Sequence, residues 1–322
     1  MRYLRAPFMV GLLALVFMLL SGCGNHVTAG QLKNVGLLLP NTINEKVWGS
    51  KGYKGLLSIG SSFDVKVYYK ENIDKKAEVK KAVEAFKKKD VNLIFGHSNL
   101  YADLFMNLKD QYPRIHFVTF NGEVQGKNIT SLHFQGEAMG FFGGMVAAKM
   151  SRNHSVGVIA AYPWQPEVDG FIEGAIFQNR EVDVHYQYVQ DWNDTEKALK
   201  ILNHMIDEGV DVFYPAGDGY NIPVIQNIKS HGLYAIGYVS DQLNLGKKTV
   251  LTSTVQEVDK LYKLVAGKYN EGKLKSGNLY FGFDDGVIKM GKFSPLVPDS
   301  YVKKIQDQVD QYIETGKFPY ER

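Results

Sequence analysis

The chain has 322 residues, of which 45% are hydrophobic and 22% charged, with a net charge of +3. Apolar content this high at such low net charge excludes intrinsic disorder and supplies a core for one two-lobed unit or two domains. The near-neutral balance also argues against a protein that grips nucleic acid by neutralising phosphates, which needs a strong basic excess on one face.

Arg2 and Arg5 precede an uncharged apolar run, Phe8 to Leu20. That run suits the core of a signal peptide and falls short of the roughly 20 residues a helix needs to span a bilayer. It ends in Leu20-Ser21-Gly22-Cys23, the form of a bacterial lipobox, and Cys23 is the sole cysteine. No intramolecular disulfide and no cysteine-rich metal site can therefore form. The expectation is a signal peptide over 1–22 and lipidation at Cys23. A small, polar tether over 23–32 then holds the body on the outer face of the cytoplasmic membrane. Several acyl chains at about 0.8 kcal/mol per buried CH₂ suffice for stable anchoring. Loss of Arg2 and Arg5 lowers the net charge from +3 to +1.

Beyond the tether, strand-length runs alternate with helical patterns. Val35–Leu39, Asp64–Tyr69, Val91–Phe95 and Ile115–Phe120 read as strands, as do Ser155–Ala160, Val182–Tyr188, Val210–Tyr214, Tyr234–Tyr238 and Val250–Thr254. Several stay apolar without alternating, as a parallel strand covered on both faces requires. Between them Val79, Ala82, Val83 and Phe86 share one helix face, with lysines on the other. Asp194-Thr195 predicts a cap for a helix whose Ala198, Ile201, Leu202 and Met205 face the core and which ends at Gly209. Val302, Ile305, Val309 and Tyr312 make a further stripe. Repeated strand–helix–strand units predict an α/β fold, and about nine strands divide more naturally into two lobes than one sheet.

Several segments resemble one family, in its order and at its spacing. Phe134-Gln-Gly-Glu-Ala-Met-Gly-Phe-Phe-Gly-Gly-Met-Val-Ala-Ala148 resembles the glycine- and alanine-rich helix of the basic membrane protein (BMP) lipoproteins, nucleoside-binding relatives of type I periplasmic binding proteins. Val168–Ala175 resembles their GFxxGA segment, Tyr214–Gly219 a glycine-rich turn, Ile236–Gln242 a strand end, and Val250–Gln256 a further strand. The likeness runs from about residue 33 to 295. Trp48–Leu57, Gly136–Gly144 and Trp164–Gly170 are similar in particular to the branch that promotes transcription of competence genes.

This resemblance implies a type I periplasmic-binding-protein fold: two doubly wound parallel-sheet lobes joined by a multi-strand hinge. It assigns 33–124 plus 245–278 to lobe I and 125–244 plus 279–322 to lobe II. A small molecule, purine-like by family, is expected in the cleft between them. By position, Trp48 and Trp192 come from opposite lobes to sandwich a planar ring; the alternative for either is packing in the core or hinge. Asp241 matches a carboxylate that grips ribose hydroxyls, with capping of the next helix as its alternative. Gly217, with Gly219, is expected to let backbone approach the ligand. Asn121 stands where the family has Asp, Gln256 where it has Lys, Pro40-Asn41 where it has Asp, and Gly49 where it has Asn. Those departures leave three outcomes: a different ring, weak binding, or an unused cleft.

Catalysis is not expected. Gly96-His97-Ser98-Asn99 follows a strand as a nucleophile elbow does, but Leu100 stands where the second glycine of G-x-S-x-G is required. The eight histidines lack metal-binding spacings, and no cofactor is expected. Two readings remain. The first is an extracytoplasmic positive regulator of competence gene expression, acting indirectly, through a membrane-protein partner or by influencing the stability of a regulator inside the cell. Indirect action is expected because an exported, lipidated body cannot reach DNA, no helix-turn-helix or basic arm is evident and no direct contact with nucleic acid is expected. The second is the substrate-binding subunit of an ABC importer for nucleosides or related molecules.

Overall fold

The structure, a computed structural model, describes residues 31–43 and 48–321. The expected signal peptide, Cys23 and most of the tether lie outside the described residues. Strand and helix alternate from the start: β1 (Asn34–Leu38), α1 (Trp48–Phe63), β2 (Lys66–Lys70), α2 (Lys76–Lys87), β3 (Val91–Gly96), α3 (Tyr101–Met106), β4 (His116–Phe120) and β5 (Ile129–Phe134). The pattern continues with α4 (Gly136–Met150), β6 (Ser155–Ala160), α5 (Pro166–Gln178), β7 (Asp183–Tyr188), α6 (Thr195–Asp207), β8 (Val212–Ala216), α7 (Asn221–Ser230) and β9 (Tyr234–Val239). It closes with β10 (Val250–Gln256), α8 (Val258–Asn270), β11 (Gly277–Phe281), β12 (Ile288–Met290) and α9 (Asp299–Thr315).

These strands form two six-stranded sheets, ordered β11-β5-β4-β3-β1-β2 and β12-β10-β9-β8-β6-β7. Every pairing is parallel except that of β12 with β10. Continuous apolar runs such as β6 and β8 are buried along their whole length, because helices cover both faces of a parallel sheet. The predicted helix stripes are core: Val79, Ala82, Val83 and Phe86 are buried in α2, and Ala198, Ile201, Leu202 and Met205 in α6. Asp194 caps α6, its carboxylate accepting from the Lys197 amide at 2.9 Å, and Gly209 follows at φ +90°.

The fold is the two-lobed α/β arrangement expected, but the chain divides differently between its halves. Residues 129–134 were expected in lobe II, yet β5 hydrogen-bonds to β4 and belongs to the first sheet. Residues 250–256 were expected in lobe I, yet β10 lies between β9 and β12 in the second sheet. The following helix, α8, returns to pack on α1 in the first lobe, and β11 joins the first sheet. The chain thus crosses between lobes three times: after Phe134, after Gln256, and between Phe281 and Ile288.

A seam of glycines joins α4 to α5. A Cβ at Gly174 would lie 1.9 Å from the Phe141 carbonyl oxygen, and one at Gly140 would lie 2.1 Å from that of Glu167. The two helix backbones therefore touch directly, which explains the glycine-rich helix in the sequence. Among the described residues no helix is long and apolar enough to cross a membrane.

Candidate functional site

The carboxyl ends of both parallel sheets face a cleft of about 570 Å³, the place where open α/β sheets bind ligands. From the first lobe it is lined by Leu39 to Asn41 after β1, Trp48 and Gly49 at the start of α1, His97 to Asn99 after β3, and Phe120 and Asn121 at the end of β4. From the second come Trp164 to Glu167, Trp192 and Asn193, Asp218, Tyr238 and Val239, and Gln256.

Trp48 is held by its surroundings. Its ring lies face to face with His97, and Phe120 and Phe134 meet it edge-on at centroid distances of 5.6 and 6.3 Å. Its Nε1–H donates to the His97 carbonyl at 3.3 Å. His97 Nε2 contacts the Trp48 carbonyl oxygen at 2.8 Å and so donates, which leaves Nδ1 to accept from the Tyr262 hydroxyl at 2.9 Å. Burial lowers the His97 pKa to about 4, so the ring is neutral at physiological pH.

On the opposite wall Trp192 is half-buried beside Tyr162 and Trp164, with the Trp164 ring 5.8 Å away and nearly perpendicular. Trp164 itself is 53% exposed at the mouth of the cleft. Deeper in, Glu167 is only 5% exposed, and its Oε1 accepts from Gln165 Nε2 and from the Tyr238 hydroxyl, both at 2.9 Å. Burial first, and then the charge of Glu167, hold the Tyr238 hydroxyl well above the usual phenol range.

Two residues of α1 tie the lobes together beside the cleft. The Trp48 amide, at the start of α1, donates to Asp218 Oδ2 across the gap at 3.0 Å, so a second-lobe carboxylate caps a first-lobe helix. Lys51 Nζ donates to the carbonyls of Val239 at 2.9 Å and Gln256 at 2.7 Å. Burial lowers the Lys51 pKa to about 8, against the opposing pull of Glu257, Asp259 and Asp218. Val239 sits at φ +62°, a conformation a β-branched residue rarely adopts. Its carbonyl is fixed there by Lys51 while a tight turn closes from the Ser240 amide to the Tyr238 carbonyl at 2.7 Å.

Four of the six cleft residues expected from sequence, Trp48, Trp192, Asn121 and Gln256, line this cavity. Asp241 and Gly217 do not. Asp241 is exposed, and its carboxylate accepts from the amides of Leu243 and Lys292 at 3.3 Å, so it braces a local turn and the segment after β12. Gly217 is buried against the Tyr220 ring, which a Cβ would meet at 2.0 Å, and Gly219 packs on the Trp192–Asn193 backbone. Their smallness serves internal packing. Glu167, Tyr238 and Lys51 were not singled out from sequence. Glu167 follows Pro166 in the first turn of a helix, where an acid reads as a partner for the helix dipole, and nothing local marks it as facing a cavity. The Gly96–Asn99 turn lines the cleft in place of an elbow: the side chain of Ser98 bonds to Asn99 and the Leu100 amide, and the one histidine there is buried and stacked on Trp48. Among the described residues no group of three or more His, Cys, Asp or Glu side chains is placed to hold a metal.

Several known proteins resemble this chain. The sequence is 51% identical to the transcriptional activator protein Med of Bacillus subtilis over 304 residues, 94% of this chain and 96% of that one. It is 27% identical to a purine-binding protein of Brucella abortus over 79% of this chain and 72% of that one. The crystal structure of a transcriptional activator of the comK gene from Bacillus halodurans superposes with a TM-score of 0.84 at 52% identity, covering 88% of this chain and 99% of that one. Residues 32–322 match the Bmp family, described as ABC transporter substrate-binding protein PnrA-like, and the chain belongs to that family.

Proposed function

We propose that this protein is a lipid-anchored extracytoplasmic receptor whose cleft takes a small planar ligand and which promotes competence gene expression indirectly. The observation that carries the reading is the pair of tryptophans, Trp48 from the first lobe and Trp192 from the second, that line one cleft between the two sheets. Stacking on such rings contributes about 1–3 kcal/mol per base and tolerates many ring systems. The regulatory half of the reading is supported by the 51% identity to Med across nearly the whole chain. Indirect action is supported by the lipobox at Cys23, since a body tethered outside the cell has no access to DNA and must work through a membrane partner.

Likeness to the Brucella purine-binding protein favours a second reading, delivery of a purine-type ligand to an ABC importer. Deletion of the gene in a competence-proficient host separates the two. Reduced transformation and reduced competence reporter expression, with nucleoside uptake intact, support regulation. Loss of uptake with transformation intact supports delivery and sinks the regulatory reading.

A further inference from the structure

Glu167 is a buried carboxylate without a counter-ion. It is 5% exposed, lines the cleft, and forms no ion pair among the described residues. Both donors on it, Gln165 and Tyr238, are neutral and converge on Oε1. Oε2 receives no protein donor among the described residues and lies against Gly136, where a Cβ would approach it to 2.8 Å. Gly136 itself lines the cavity, two residues beyond the Phe134 ring that touches Trp48. The free oxygen and the stacking tryptophan thus belong to one continuous wall.

Among the described residues that wall holds no fixed positive charge. Among the described residues the cleft is lined by no Lys or Arg, while Glu123 and Asp218 add two further carboxylates. Two histidines line the wall: burial holds the His97 pKa at about 4, and burial lowers the pKa of His133 as well, against the pull of Glu123. Lys51 lies behind the wall on two carbonyls, and the acids that hold its charge are Glu257, Asp259 and Asp218. A carboxylate oxygen that faces a cavity without a counter-ion attracts a cation, and aromatic faces attract cations as well.

We propose that the ligand carries a positive charge on its planar ring, an N-alkylated or protonated heterocycle, and that Glu167 is the residue that selects it. The proposal rests on the reading of the cleft as a planar-ring site. The ring stacks on Trp48 while its charged edge faces Glu167 Oε2.

Calorimetry with two matched pairs tests this on the full mature chain: 7-methylguanosine against guanosine, and 1-methylnicotinamide against nicotinamide. The charged member of at least one pair binds about tenfold tighter, the difference between a charge-assisted and a neutral hydrogen bond, and Glu167→Gln reduces that preference to about twofold or less while the neutral member still binds. Glutamine retains an oxygen for Gln165 and Tyr238, so the wall survives the change. Equal or tighter binding of the neutral member in both pairs overturns the charge assignment and leaves the planar-ring reading standing. A preference that survives in Glu167→Gln overturns the role of Glu167. If no compound of either charge binds, the planar-ring reading falls, and this proposal with it.

Discussion

The ring of Trp48 lies 4.4 Å from that of His97 and only 10° from parallel, so the imidazole backs one face of the indole and orients it toward the cleft. His97 is held in this position uncharged. Its native pKa is near 4, whereas an unfolded histidine titrates near 6.5. Between those values the unfolded chain binds the extra proton, so stability falls as pH falls from 6.5 to 4, and no further contribution arises above that window. His97 accounts for up to about 3 kcal/mol of the loss. His116, also held near 4 by burial, shares the window. Urea unfolding of wild type and His97→Gln at pH 7.0 and 4.5 checks this: the variant loses less stability on acidification than wild type, and an equal loss refutes it.

Trp48→Ala and Trp192→Ala each weaken binding of the ring compounds above by about 1–3 kcal/mol, because each removes one stacking face. Isothermal titration of the single and double variants measures the effect. Undiminished binding by the double variant shows that the ring lies elsewhere.

The α4–α5 seam leaves no room for a methyl group. Gly174→Ala puts a Cβ into the Phe141 carbonyl and destabilises the second lobe by at least about 1–3 kcal/mol, seen as a drop of several degrees in Tm. Gly143 of the same α4 meets only ordinary contacts, the nearest at 3.4 Å. Gly143→Ala is therefore neutral, or stabilising by about 0.5–1 kcal/mol from helix propensity. Similar losses in the two variants contradict the seam.

Lys51 bridges the lobes at an electrostatic cost. Burial in the folded chain lowers its pKa from 10.5 to about 8, so the unfolded chain binds more protons between those values. The folded form is thus stabilised as pH rises from 8 to 10.5, and the effect disappears in Lys51→Met. Loss of the two carbonyl contacts also leaves the variant more open at pH 7. Small-angle scattering should show a larger radius of gyration for Lys51→Met than for wild type. An unchanged radius means that other contacts keep the lobes together.

Cys23→Ala should move the protein from the membrane fraction to a soluble or uncleaved form. A mature-size product that stays on the membrane rules out anchoring by lipid.

Much of this was legible because the strongest signals are local. Strand-length runs rich in apolar and aromatic residues marked nine strands, and helical spacing marked the buried faces of α2 and α6. Three strands escaped. β5 reads Ile-Thr-Ser-Leu-His-Phe, too polar for an apolar run, although Thr130 bonds to the Lys275 carbonyl and to His116 in the folded chain. β11 begins at a glycine with φ +95° on a sheet edge, and β12 has three residues. Missing β5 displaced the expected lobe boundary, since it is the last strand before the first crossing. In the cleft, family position located the tryptophans but not Glu167, whose placement depends on long-range partners, Tyr238 of β9 and Gly136 of α4, that leave no local periodicity.

Three separate connections between the halves constrain what the molecule can do mechanically. Each half is stitched from noncontiguous stretches of polypeptide, so neither can be translated as an independent unit, and a protease cut at one connection leaves both halves joined by the other two. Relative motion is confined to a bend about that triple strap. Any closure of the cleft is therefore a change in angle between two stiff plates.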